Sequence, residues 1–287
     1  MALGFIGTGV MGEPMCRNLA LKSGQAVHAF DRAPEPLARL RAEGAQLAAS
    51  AEEVVKAADI VFVCLPDGVK LKSLAEGLLP AVRTGQTVVD LGTSGVALAR
   101  ELSARFAAKG VDWADAPIAR TREAAQKGTL SITVGATPAV YARIEPLLRF
   151  IGSDITHCGG IGNGQLVKIL NNMVLFETVN ALAEALALGR RAGIDTALLF
   201  EALSKGSADS FALRNHGMKA MLPGAFPEKA FSTEYALKDL RYALELGRET
   251  GVTLLGAQTV ESVFKDAIAA GHGGAYYPVI AKVVDGG

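Results

Sequence analysis

The sequence predicts an α/β chain: a doubly wound parallel sheet followed by an all-helical C-terminal domain. Three observations lead there. Short Val-, Ile- and Phe-rich runs alternate with helical patterns through the first half, the signature of βαβ units. A glycine-rich turn joins the first such run to the first helical pattern. Beyond residue 164 strand-like runs become few and long Ala- and Leu-rich patterns take over.

The candidate strands are ALGFIG (2–7), AVHAFD (26–31), DIVFVCLP (59–66), TVVDLG (87–92), VDWADAP (111–117) and SITVG (131–135). Helical patterns lie between them at 11–22, 34–43, 95–108 and 137–149. After HCGGIGNG (157–164) one pattern runs through 165–192 and is closed by Gly193. Others follow near 195–204, 233–250 and 256–270. The change places a domain boundary near Gly162, giving segments 1–162 and 163–287.

Lys plus Arg and Asp plus Glu both number 29, so the formal net charge is zero, which excludes a general nucleic-acid binder. A local anion site remains compatible with that balance. Cys16, Cys64 and Cys158 are scattered, show no metal-ligand spacing or disulfide framework, and read as buried thiols in a reducing compartment. No metal is expected. The N-terminus lacks a signal pattern, and no membrane span is expected, because the 165–192 pattern is interrupted by Lys168, Asn171, Asn172, Glu177 and Glu184. The reading is a soluble cytoplasmic protein. That helix is apolar on more than one side, which predicts a partner subunit in a homodimer or homotetramer.

The first strand ends in GFIGTGVMG (4–12), with Gly7, Gly9 and Gly12 in G-x-G-x-x-G spacing and Val10 and Met11 opening the helix. Glycines there allow a tight turn and close approach of the backbone to a pyrophosphate, which meets the positive end of the helix. Asp31 ends the second strand, where a carboxylate accepts the ribose hydroxyls of NAD and repels a 2′-phosphate. Arg32 leaves NADP open, since it could stack on adenine or attract that phosphate. This is a Rossmann-type arrangement. Leu65, Pro66 and Thr93 sit where the next strands end and are candidates to line the nicotinamide ribose.

Lys168 stands one turn into the long helix, with Asn171 and Asn172 at i+3 and i+4 on the same face. Polar groups on an apolar helix are costly unless they face a cleft. Desolvation there would bring the lysine toward acid/base duty, and an amide could position the reacting oxygen. The alternative is a surface lysine beside two amides.

Together these residues resemble the β-hydroxyacid dehydrogenase family, which includes 3-hydroxyisobutyrate dehydrogenases and 2-hydroxy-3-oxopropionate reductases. The resemblance rests on GFIGTGVMGEPMCRNL (4–19), DAPIARTREAAQKGTLSITVG (115–135), GNGQLVKILNN (162–172) and YALKDLRYAL (235–244). It implies a Rossmann domain, a helical domain and an active site between them. It also implies Lys168 as catalytic acid/base assisted by Asn172, Lys238 close to the nicotinamide, and Asp239 orienting that segment. The cofactor implied is NAD, with NADP possible, and the partner is a small anionic substrate.

One family motif is altered. The usual text is D-A-P-V-S-G-G, whose Ser and first Gly bind the substrate carboxylate. Here Ala119, Arg120 and Thr121 replace the Ser and both glycines. A guanidinium fork suits a larger oxyanion, and an Arg in this loop is similar to that of sulfolactaldehyde reductases, where it holds a sulfonate. The plainer alternative is an Arg that binds a carboxylate or pairs with a nearby acid. Arg122 is expected to be solvated on the next helix. Gly92 stands where the family has Ser, while Thr93 keeps its place. Further on, Arg214 is a candidate second anion contact, His216 reads as a helix-surface residue, and Phe231 as a substrate-side shield over the nicotinamide. Imine reductases usually lack the lysine. A non-catalytic NAD(P)-binding module would also lack it or carry appended domains.

Overall fold

Six short parallel strands build the main sheet: β1 (Ala2–Ile6), β2 (Ala26–Phe30), β3 (Gln46–Leu47), β4 (Ile60–Val63), β5 (Thr87–Asp90) and β6 (Asp112–Asp115). Their order is β3-β2-β1-β4-β5-β6, the doubly wound arrangement whose direction reverses between β1 and β4. The computed structural model describes residues 1–228 and 230–286, in two units, Met1–Lys168 and Ile169–Gly287.

Helices α1 (Gly12–Lys22), α2 (Pro34–Ala42), α3 (Ala51–Ala57), α4 (Gly68–Leu78) and α5 (Val96–Ala107) connect these strands. Every residue of β4 and β5 is buried, which explains why they read as continuous apolar runs rather than alternating ones. Leu3, Phe5, Phe62 and Val89 pack with Met15 and Leu19 of α1. Ile6, Val61, Val63 and Val88 pack with Val54 of α3, Leu71 of α4 and Phe106 of α5. The period-2 alternation of each strand feeds two cores.

The SITVG run does not extend the main sheet. It lies in a second sheet of β7 (Ile118–Ala119), β8 (Leu130–Val134) and β9 (Gly152–His157), with β7–β8 antiparallel and β8–β9 parallel. Helices α6 (Arg122–Lys127) and α7 (Pro138–Leu148) complete this region. Thr121 caps α6 by accepting the Ala124 N–H, and Arg122 opens the helix exposed to solvent.

Helix α8 (Asn163–Arg191) starts in the first unit, and from Ile169 onward it belongs to the second. The second unit continues with α9 (Thr196–Leu203), a π-helical segment (Leu213–Met221), α10 (Thr233–Thr250), α11 (Leu255–Ala267) and α12 (Ile280–Val284). Phe176, Val179, Ala183 and Leu186 of α8 pack with Phe200, Leu240, Phe264 and Tyr277.

By length and composition alone α8 is long and apolar enough to span a membrane, with mean hydropathy 1.2 over 18 residues, a test that the core helix of a soluble protein also meets. Its buried stripe accounts for much of that apolarity as core packing. Cys16 is buried, whereas Cys64 and Cys158 are only half-buried.

Candidate active site

The glycine turn is built for a ligand as much as for the fold. Gly7 has φ +94°, and a Cβ there would stand 2.3 Å from Cys64 O. At Gly12 a Cβ would stand 1.9 Å from Gly7 O. Those two glycines are demanded by the backbone itself. A Cβ on Gly9 would meet nothing within 4 Å, so packing inside the chain does not require glycine there. The beginning of α1 has no side-chain cap, which leaves first-turn N–H groups for an anion. Val10 beside them is 51 % exposed. The open space and uncapped helix start fit the pyrophosphate of a dinucleotide.

Asp31 is fixed against this turn. Its Oδ2 accepts the Thr8 N–H at 2.5 Å and its Oδ1 the Ala33 N–H at 2.9 Å. Each oxygen keeps a further acceptor site, so the carboxylate can also take ribose hydroxyls. Arg32 is exposed beside it. Leu65 lies close to Gly7, within 3.2 Å of where a Cβ would be. Pro66 follows in the same loop and is half-buried, and Thr93 is buried after β5. Gly92 has its own steric reason, since a Cβ there would approach Leu65 O to 2.7 Å. The family's Ser at this place is therefore incompatible with the present path of the loop.

Beneath these loops lie two buried carboxylates on adjacent strands, Asp90 of β5 and Asp115 of β6, which are register partners. Asp115 accepts the Gly162 N–H at 2.7 Å and the Gln165 N–H at 2.9 Å, capping the start of α8. Burial raises its affinity for a proton, and those N–H groups oppose the rise. Burial pushes Asp90 up to about 7, against the Gly92 N–H and reinforced by the charge of Asp115. Gly135 and Gly164 permit this crowding. A Cβ on Gly135 would sit 2.6 Å from the Asp115 carboxylate, and one on Gly164 2.5 Å from Thr133 O.

Lys168, half-buried, follows on α8. Asn172 is 1 % exposed and donates to Asp239 Oδ2 at 2.8 Å, while its Oδ1 accepts from exposed Asn171 at 3.2 Å. Asp239 thus orients the Asn172 amide, a role more specific than holding its own segment. Lys238 lies 2.7 Å from Asp239 Oδ1, forming an ion pair. Its ammonium also stands 4.1 Å from the Tyr235 ring centroid.

Arg120 takes a form the sequence did not disclose. Its φ is +86°, the only positive value at a non-glycine among the described residues. It has adopted the backbone of the glycine it replaces, at about 1–3 kcal/mol of strain. Its guanidinium donates to Thr129 O at 2.7 Å and Ser153 Oγ at 3.0 Å, and pairs with Asp154 at 2.7 Å. Hydrogen bonding from Ser153 and then Arg120 holds the Asp154 carboxyl below its ordinary range. The side chain is thus paired with a nearby acid, and Ala119 and Thr121 flank it on the loop. Arg120→Gly should relieve the strain and leave thermal stability unchanged or higher, which calorimetry would read.

One expectation is corrected, and two other residues have partners within the protein. His216 is not on the surface: it is 6 % exposed, its Nδ1 lies 2.5 Å from the Tyr276 hydroxyl, and burial pulls its pKa down to about 4. A neutral imidazole packed among tyrosines is no proton donor. Arg214 spends its guanidinium on Asp209. Phe231 is half-buried and packs against Phe176, Tyr235 and Tyr277, with ring centroids 5.8, 5.5 and 5.4 Å away.

Comparison with known proteins covers both halves of the chain. Residues 2–160 match the family model of the NAD binding domain of 6-phosphogluconate dehydrogenase. Residues 162–284 match that of the NAD-binding of NADP-dependent 3-hydroxyisobutyrate dehydrogenase. The chain is 36 % identical over 284 residues to 2-(hydroxymethyl)glutarate dehydrogenase of Eubacterium barkeri, covering 98 % of this chain and 94 % of that one. It is 33 % identical over 274 residues to 2-hydroxy-3-oxopropionate reductase of Escherichia coli (strain K12), covering 94 % and 92 %. The structure of 3-hydroxyisobutyrate dehydrogenase from Mycobacterium tuberculosis with L-serine superposes with a TM-score of 0.91, at 29 % identity, covering 99 % and 98 %. The chain belongs to the β-hydroxyacid dehydrogenase family and is an NAD(P)-dependent oxidoreductase acting on CH–OH groups.

Proposed function

We propose that the protein interconverts a short hydroxy acid and its semialdehyde, with Lys168 as the acid/base. The observation that carries this reading is the polar stretch of α8, where Asn172 is buried and fixed by Asp239 one turn beyond Lys168. A bound nicotinamide supplies or accepts the hydride. Lys168 Nζ gives a proton to the carbonyl oxygen during reduction and takes it from the hydroxyl during oxidation. Asn172 holds that oxygen, and the family resemblance assigns Lys238 to the nicotinamide. Gly7, Gly9, Val10, Met11 and Gly12 hold the pyrophosphate, while Leu65, Pro66 and Thr93 line the nicotinamide ribose.

NAD is the preferred cofactor, because Asp31 is fixed at the turn, where its carboxylate takes ribose hydroxyls and repels a 2′-phosphate. Asp31→Ala should raise the KM for NAD by about 10-fold or more, the scale of a hydrogen bond to a charged group, and change that for NADP less. Equal losses for both would remove Asp31 from cofactor choice.

The substrate tail is a carboxylate held by the backbone of the 119–121 loop, since Arg120 keeps a glycine-like φ and spends its guanidinium elsewhere. A second reading is a sulfonate-bearing substrate. It draws support from the solvent exposure of the Arg120–Asp154 pair, 38 % and 58 % for the two side chains, which an incoming oxyanion could replace. Turnover of 3-hydroxyisobutyrate, glycerate, 4-hydroxybutyrate and the sulfolactaldehyde diol by wild type and Arg120→Gly separates the two. Carboxylate turnover changing by less than about threefold in the variant supports the first. Sulfonate turnover lost only in the variant supports the second.

Val167, Leu170, Val174 and Leu188 of α8 are 40–72 % exposed, which favours a homodimer or homotetramer. The free thiols suit a reducing, cytoplasmic setting.

A further inference from the structure

One buried side chain fastens the first turn of α8 to the loop after β5. Gln165 is fully buried. Its Nε2 donates to Gly92 O at 2.8 Å and Asp90 Oδ2 at 3.1 Å, and its Oε1 accepts the Ser94 N–H at 3.0 Å. Its own N–H is held by Asp115 at 2.9 Å. Both donor hydrogens of the amide and its acceptor are therefore engaged. The groups it grips, Gly92 and Ser94, flank Thr93 in the loop assigned to the nicotinamide ribose. Lys168 lies at i+3 from Gln165 on the same helix, so the two share a face.

We propose that Gln165, supported by Asp90 and Asp115, is a positioning residue that sets Lys168 relative to the cofactor loop. The inference rests on Lys168 being the acid/base. A misplacement of about 1 Å in a reacting constellation lowers turnover on the order of 100-fold. A slip of the first turn of α8 along the 91–95 loop is a displacement of that kind.

The test is a double-mutant cycle on the full-length enzyme. Gln165→Met keeps the side-chain volume and removes all three amide bonds. It should lower kcat by about 30-fold or more, with a smaller change in the NADH dissociation constant measured by fluorescence titration. In a Lys168→Met background the same change should alter the residual rate by less than about twofold, because a residue acting through the lysine has nothing left to act on. A full multiplicative loss in that background, or wild-type kcat in Gln165→Met alone, overturns the proposal. If Gln165→Met does not fold, Asp90→Ala carries the same cycle, since it removes the carboxylate to which Gln165 Nε2 donates. Full activity in Lys168→Met sinks the acid/base assignment. Full activity in Gln165→Met beside an inactive Lys168→Met sinks only the positioning role.

Discussion

Lys168→Ala lowers kcat for hydroxy-acid oxidation by a factor of about 100 to 10,000, the contribution of a positioned general acid or base. NADH affinity stays unchanged, because the pyrophosphate turn and Asp31 lie on other elements of the first unit. Asn172→Ala gives a smaller loss of the same kind and leaves Asp239 buried without its amide donor, so some thermal stability goes with it. Asp239→Asn separates the two effects. It keeps the shape, weakens the hold on Asn172, and should reduce kcat more than it raises the KM for substrate. Steady-state kinetics with a fluorescence titration of NADH reads all of these.

The glycine turn yields the second large effect, and there two neighbouring glycines part company. Gly12→Ala forces a Cβ to within 1.9 Å of Gly7 O. The collision is with backbone rather than a movable side-chain tip, so the first unit loses about 1–3 kcal/mol or more of stability. Gly9→Ala meets nothing within 4 Å and folds with an unchanged thermal midpoint. Its methyl group then occupies the space where a pyrophosphate approaches, and NADH affinity falls at least about tenfold, or 1.4 kcal/mol. Normal NADH binding by Gly9→Ala would show that the turn is a fold element alone.

The sequence disclosed the frame of the site because its elements announce themselves locally. The strand, glycine turn and helix of residues 2–22, Asp31 at the end of β2, and Lys168 and Asn172 one helical turn apart each follow from spacing. The small sheet was harder. Strand β9 is GSDITH, exposed at several positions and without an apolar run, and β7 is two residues long. Arg120 shows another limit. Residue type suggested an anion clamp, but its partners Thr129, Ser153 and Asp154 are up to 34 residues away in sequence, and its φ of +86° is invisible in composition. The buried pair Asp90 and Asp115 was hidden for the same reason, since strand register and not sequence spacing makes them neighbours. His216 misled because a π-helical segment carries it inward, onto Tyr276.

The most direct test of the central claim is to follow deuterium from the carbinol carbon of labelled 3-hydroxyisobutyrate or glycerate during oxidation with NAD. The account predicts that the label is recovered at C4 of the reduced nicotinamide, with a primary isotope effect on kcat/KM that persists in Arg120→Gly. Label released to water, or no reduced cofactor from any short hydroxy acid although NADH binds, would contradict it.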